Sequence, residues 1–216
     1  MLKIFLRGWT RYKDWKTYRK MERVFRRRED PYGYLSHPQE RKKQDMALEW
    51  ISDRRYKKAL DIGCAEGTFT QRLAPFCDQI LGVDISPTAI ERARANCASL
   101  SNVRFQCLNI RDPSLAPGWD LIAISELLYY MEEPRWEFPD LIRTIADLLS
   151  SGGRLFLIHS FAGEHELKIR RGYVQEFLQI GLQLEKEKIG ENPPPKPPYL
   201  LSLLQKPHGP SLLQKA

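Results

Sequence analysis

The sequence predicts an α/β fold, a doubly wound and mostly parallel sheet of seven strands, closed by a C-terminal antiparallel hairpin and preceded by a helical cap. Three observations predict it. From residue 58 onward, short apolar runs alternate with amphipathic stretches of helix length, the pattern of βαβ units. The first apolar run ends on an acid and opens into a loop of small residues, 61-DIGCAEGTF-69, before a helix begins. The chain has 216 residues, enough for one sizeable domain with a real core and an appendage.

The elements follow in order. Residues 1–30 form a basic amphipathic arm, in which Trp9, Tyr12, Trp15, Tyr18, Met21 and Val24 recur every third residue among Lys and Arg. No Gly or Pro interrupts residues 9–30, so the arm is expected to be helical. The turn-rich 31-PYGYLSHPQE-40 connects it to a second helix over 39–51, with Met46, Leu48, Trp50 and Ile51 as its apolar residues. Strands are expected at 58–63, 79–85, 103–110, 118–125 and 153–160, and helices at 67–76, 87–99, 137–150 and 164–180. The end differs. Residues 181–190 and 199–206 read as two strands joined by the proline-rich 192-NPPPKPPY-199, which serves either as a stiff loop or as a segment for an aromatic groove. Residues 207–216 read as a loose tail. The division is therefore an arm over 1–30, a domain over 31–206 and a tail.

Composition narrows the function. Hydrophobic residues make up 42% and charged residues 28%, ordinary for a soluble globular protein. No apolar run is long enough for a transmembrane helix, and 2-LKIFL-6 runs into charges rather than a cleavage site. Cys64, Cys77, Cys97 and Cys107 show neither a CxxC pair nor metal-ligand spacing, so they read as reduced thiols in a cytoplasmic protein without a metal. The formal charge of +7 lies wholly in residues 1–30, and the rest of the chain is neutral. Basic character thus belongs to the arm, which weakens a nucleic-acid reading of the domain.

In a doubly wound sheet the ligand sits beyond the carboxyl ends of the strands. Gly63, Ala65 and Gly67 keep side chains out of the way there, and a helix beginning near Thr68 favours an anion. The dinucleotide pattern G-x-G-x-x-G fits poorly, because Ala65 and Thr68 stand at its second and third glycines. The stretch is better written acid-x-G-x-A-x-G from Asp61 to Gly67. An acid two residues before the first glycine is awkward for a pyrophosphate and suits a zwitterion with an ammonium group. S-adenosyl-L-methionine is such a molecule.

Here the residues resemble motif I of the class I S-adenosylmethionine-dependent methyltransferases, a Rossmann-like family. The resemblance implies a cofactor site in Asp61, Gly63, Cys64, Ala65 and Gly67, with Ser125 at the end of the fourth strand. It implies that Asp84 accepts from both ribose hydroxyls, a task suited to an acceptor-only carboxylate. Ile85 and Ile110 would cover the two adenine faces. Asn109 stands where the family usually has Asp, and its carbonyl would accept from the adenine amino group. A narrower resemblance lies in 125-SELLYYM-131, 30-DPYGY-34 and 39-QERKKQ-44, which look like the nodulation-factor N-methyltransferases and their bacterial relatives. Those methylate an amine on a deacetylated glucosamine unit of a chitooligosaccharide. The nucleobase-amine signature is missing after the fourth strand, and Pro197-Pro198-Tyr199 lies in the late loop.

Methyl transfer is an in-line displacement that needs proximity and alignment. An amine acceptor must be neutral and sheds a proton, which a carboxylate at the pocket mouth can hold or relay. Glu126 is the candidate, set against a structural tie between strand and helix. Tyr129 and Tyr130 either orient the acceptor or pack in the core. His159 is the alternative base, set against a satisfied rim histidine. Tyr34 and His37 are expected to cover the cofactor from the connector. The first reading of function is N-methylation of a small-molecule or oligosaccharide acceptor. Methylation of RNA or a nucleobase comes second, and a catalytically idle nucleotide-binding domain third. For the arm, packing on the domain as a lid, contact with an anionic membrane surface and attraction of an acidic partner such as RNA stay open.

Overall fold

The computed structural model describes residues 2–209 apart from 35, 113, 132–134 and 193–195, and side chains from 12 onward except 13. The side chain of Trp9, three of the loop prolines and residues 210–216 of the expected tail lie outside the described residues.

Among these residues seven strands build one sheet: β1 (Tyr56–Ile62), β2 (Cys77–Asp84), β3 (Val103–Cys107), β4 (Trp119–Ser125), β5 (Leu149–Ser160), β6 (Gln183–Gly190) and β7 (Tyr199–Gln205). The order is β3-β2-β1-β4-β5-β7-β6. β1 to β5 pair in parallel, whereas β7 runs antiparallel to both β5 and β6. The predicted fold class is the observed one. Strand order reverses between β1 and β4, and a crevice opens at the carboxyl ends of such a switch point.

Six α-helices accompany the described sheet: α1 (Leu2–Arg27), α2 (Pro38–Ile51), α3 (Thr68–Leu73), α4 (Pro87–Asn96), α5 (Phe138–Leu148) and α6 (Gly163–Gln179). Alternation along β4 separates two apolar layers. Ile122 and Ile124 pack with Leu141, Ile145, Val174 and Phe177 of α5 and α6. Leu121 and Ala123 pack with Ala47, Leu73 and Ile90 of α2, α3 and α4. A strand buried on both faces is the expected centre of a parallel sheet.

Several boundaries moved for local reasons. α3 stops at Leu73 and tightens into a 3-10 turn at Ala74–Phe76, where Pro75 has no N–H to continue the helix. α4 starts on Pro87, with Ser86 Oγ accepting from Ala89 N at 3.2 Å as its N-cap. β3 ends at Cys107 rather than at 110, because the chain turns there: Asp112 N donates to Asn109 O at 2.8 Å. β5 begins at Leu149, four residues before the expected start, and carries Gly152 (φ +75°) as a kink inside the strand.

Two helices bury faces that their apolar residues do not mark. In α2 the buried residues are Glu40, Lys43, Gln44, Ala47 and Ile51, while Met46, Leu48 and Trp50 are only half-buried. In α1 a repeat of three drifts around the helix and cannot mark one face. Tyr12, Trp15 and Tyr18 point outward, each more than a third exposed, and Met21 and Phe25 are buried.

Candidate active site

A cavity of about 220 Å³ opens at the carboxyl ends of β1, β2 and β4. Ile62, Gly63 and Ala65 form one wall, Val83, Asp84 and Ile85 the next. Leu108 to Arg111, following β3, close one side, and Ser125 to Leu127 with Tyr129 and Tyr130 close another. The roof is α1, through Asp14, Thr17, Met21 and Phe25, with Tyr32 and Tyr34 of the connector beside it. Of the expected cofactor residues, Gly63, Ala65, Asp84, Ile85, Asn109, Ile110 and Ser125 come together on this surface. The cavity is not lined by Asp61, Cys64 or Gly67.

The loop after β1 is bent back onto β2. Gly63 N and Cys64 N both donate to Val83 O, at 2.8 and 3.1 Å, and Gly67 N donates to Cys64 O at 2.9 Å. Asp61 lies behind this loop, 2% exposed, and accepts from Thr70 Oγ1 at 2.6 Å. Burial, aided by the nearby Asp84 carboxylate, pushes its carboxyl up to about 7. It braces the loop from behind. Cys64 is buried, and burial pushes its thiol well up. Gly67 (φ +79°) serves packing: a Cβ there would stand 2.9 Å from the Phe105 ring and 3.1 Å from Ala93 Cβ. Ala65 (φ +48°) and Glu126 (φ +54°) are the non-glycine residues with left-handed backbones among those described. Both line the cavity, so the backbone strain is concentrated there.

Asp84 ends β2 facing the cavity. Its Oδ1 accepts from Ser86 N at 2.9 Å and its Oδ2 from Ala65 N at 3.1 Å. Burial lifts its carboxyl, and these backbone donors oppose the shift. Each oxygen keeps acceptor capacity for a further donor. The roof is fastened beside it. Glu22 of α1 accepts from Ser86 Oγ at 2.6 Å, Thr88 Oγ1 at 2.7 Å and Thr88 N at 3.3 Å. Desolvation works against that carboxylate, yet the two hydroxyls, the Thr88 amide and the Arg26 charge together hold it below the usual range. At the other end of the roof, Asp14 Oδ2 accepts from Asn109 Nδ2 at 3.0 Å, and Asp14 Oδ1 pairs with Arg111 Nη1 at 3.2 Å.

Glu126 follows β4 and is held by three donor groups. Lys43 Nζ lies 2.8 Å from Oε1, Ser160 Oγ donates to Oε1 at 2.5 Å, and Ser160 N reaches Oε2 at 2.9 Å. Lys43, 2% exposed on α2, also pairs with Glu40 at 2.6 Å. Burial would raise the Glu126 carboxyl, but the Lys43 ammonium and the Ser160 donors together outweigh it and the carboxyl sits below its ordinary value. The structural tie and the place on the cavity wall therefore coexist. Tyr129 packs at a tilt of 49° against Tyr130, centroids 4.5 Å apart, and burial raises its hydroxyl far above the usual range.

His159 stands apart from this group. It is buried on β5 and packs edge-on to Tyr173 and Tyr129 at 5.4 and 6.3 Å. Neither ring nitrogen has a hydrogen-bond partner among the described residues. Burial lowers it to about 4, which keeps the imidazole neutral, and it does not line the cavity that Glu126 lines. His37 likewise lies off the cavity, in a separate cleft between α2 and α3. Of the connector residues expected over the cofactor, Tyr34 is on the cavity wall.

Asp14, Glu22, Tyr32, Lys43 and Arg111 escaped sequence reasoning. One signal was available: Asp14 and Glu22 are two of only four acids in the basic arm and lie eight residues apart, close to one helix face. Among the described residues no group of three or more His, Cys, Asp or Glu could hold a metal ion. No described helix is long and apolar enough to cross a membrane. Cys64, Cys77 and Cys97 are buried free thiols, and Cys107, exposed at the end of β3, lies with Sγ 3.5 Å from Ile85 O.

Residues 21–167 match the family described as Nodulation protein S (NodS). Nodulation protein S of Sinorhizobium fredii is 36% identical over 107 residues, 49% of each chain. That of Rhizobium tropici is 32% identical over 131 residues, 59% of this chain and 53% of the relative. The matched stretch spans about half the length of these curated relatives. Among solved structures, the N-methyltransferase NodS from Bradyrhizobium japonicum WM9 in complex with S-adenosyl-L-homocysteine superposes with a TM-score of 0.79. It is 26% identical, and the alignment covers 89% of this chain and 99% of that one.

Proposed function

Because the chain belongs to the NodS family, we propose that it is an S-adenosylmethionine-dependent N-methyltransferase. The acceptor is an amine on a small molecule or amino sugar, with a chitooligosaccharide-like chain first. The observation that carries this reading is Asp84, a carboxylate with spare acceptor capacity at the end of β2 on the wall of a largely apolar cavity. The solved NodS relative holding S-adenosyl-L-homocysteine supports the same ligand class.

The residues present fit that ligand. Asp84 would hold its ribose hydroxyls, Ile85 and Ile110 would flank its base, and the backbone from Gly63 to Ala65 would follow its chain. When bound, S-adenosylmethionine supplies a methyl group already activated on a sulfonium. The protein then has to exclude water and align an acceptor. α1 and the rings of Phe25, Tyr32, Tyr34, Tyr129 and Tyr130 wall the space and suit cationic groups at their faces. Glu126 stays ionised because Lys43 and Ser160 hold it so. A carboxylate with lowered proton affinity is a weak base, and its part is to hold and orient an amine-bearing acceptor.

The test is incubation with methyl-labelled S-adenosylmethionine and three acceptors: partly deacetylated chitooligosaccharides, their fully acetylated counterparts, and RNA. Label is expected in the first alone. Label in RNA, or equal label in the acetylated sugar, would overturn the amine reading. The Asp84→Ala variant is expected to lose about 1.5–3 kcal/mol of cofactor binding by calorimetry, the worth of a charged acceptor.

A further inference from the structure

The sequence alone points to the Asn109 carbonyl as the acceptor for the amino group of the cofactor's base. The structure uses that amide differently. Asn109 Oδ1 accepts from Arg111 N at 3.0 Å, folding the side chain back over its own turn. Asn109 Nδ2 donates to Asp14 Oδ2 at 3.0 Å. Both ends of the amide are therefore engaged, Oδ1 keeping one lone pair beside its bond to Arg111 N, and the end directed at the roof is a donor.

Asp14 is the acceptor in that place. It lines the same cavity as Ile85, Asn109 and Ile110, the residues that would surround the base. Among the described residues each of its oxygens has one partner, Arg111 Nη1 on Oδ1 and Asn109 Nδ2 on Oδ2. A carboxylate offers about four lone-pair directions, so two stay available. The acid expected at the end of β3 is absent there, and a carboxylate supplied from α1 occupies the neighbouring position.

We infer that Asp14, carried on the roof helix, reads the exocyclic amine of the cofactor's base. This rests on the S-adenosylmethionine reading above. An adenine amine donates to the Asp14 carboxylate. A hypoxanthine ring presents a carbonyl at the same atom, setting acceptor against acceptor, and such a mismatch is rejected strongly at a site built for a hydrogen bond. Base recognition is then a property of the closed roof rather than of the sheet alone.

The experiment compares binding of S-adenosylhomocysteine and S-inosylhomocysteine by calorimetry, in the wild type and in Asp14→Asn. The wild type is expected to prefer the adenosyl ligand by at least about tenfold. In Asp14→Asn the preference should shrink to within about threefold, since an amide can turn either its donor or its acceptor to the base. Inosyl binding should hold or improve, a gain that a folding defect cannot produce. An undiminished preference in Asp14→Asn overturns the inference and leaves the cofactor reading intact. So does loss of the preference in Asn109→Ala while Asp14→Asn keeps it. Failure of the wild type to bind either ligand overturns the cofactor reading and this inference with it.

Discussion

Lys43 shows how far one buried residue can govern a site. Its ammonium is shared by Glu126 and Glu40, at 2.8 and 2.6 Å, with almost no exposure to solvent. Glu126 has its proton affinity lowered by folding, so its contribution is present above the ordinary glutamate range and lost as acid protonates the folded carboxyl. Lys43 is raised despite desolvation, so its share is present below the ordinary lysine value and lost as alkali strips the folded ammonium. The pair therefore stabilises through the neutral range and fails at both ends. Lys43→Met is expected to cost about 3–5 kcal/mol near neutrality, because the buried Glu126 carboxylate loses its cation and Glu40 keeps only Lys196, at 3.8 Å. Urea melts as a function of pH should show the deficit shrinking toward acid. A deficit independent of pH would remove the charges as its cause. Glu126 was legible in the sequence because it directly follows a strand that points at the crevice. Lys43 was not, since a lysine in 39-QERKKQ-44 looks like any solvated charge.

At the scale of elements, strands were easier to read than helix faces. Alternating and continuous apolar runs located all the strands, and Asp84 was found because a strand end is a place. β5 started early because 150-SSGG-153 has turn composition, yet the sheet absorbs it through Gly152 N donating to Lys206 O at 2.9 Å. The docked face of α1 was left open by the sequence, because the carboxylates Asp14 and Glu22 share it with Met21 and Phe25 while Tyr12, Trp15 and Tyr18 face out. The Glu22 clamp on Ser86 and Thr88 is what fixes that helix over the cavity. Glu22→Ala should loosen it. Trypsin is expected to cut between Lys16 and Arg28 several-fold faster, and cofactor affinity to fall about tenfold, roughly one charged hydrogen bond. An unchanged cleavage rate would show that apolar packing of Met21 and Phe25 suffices.

For the whole molecule, the excess positive charge lies in one helix and its flank while the remaining chain is neutral. Among its described side chains that helix turns Asp14 and Glu22 toward the domain and leaves Lys16, Arg19, Lys20 and Arg23 exposed, with Arg19 over Trp15 at 4.9 Å and Lys16 over Tyr12 at 5.0 Å. The strand order was foreseeable because a parallel sheet finished by a hairpin leaves few topologies. The cavity's roof was not, since it joins residues about 95 positions apart, such as Asp14 and Asn109. The thiols carry a practical consequence on the same scale. Three of the four are shut in the core, and Cys107 alone is open, touching the Ile85 carbonyl on the cavity wall. Maleimide at about pH 8 should therefore attach one label per native chain and four after denaturation. A dye placed there would sit at the rim of the site and change its emission as the site fills, so the native sequence already provides an attachment point for an optical binding sensor.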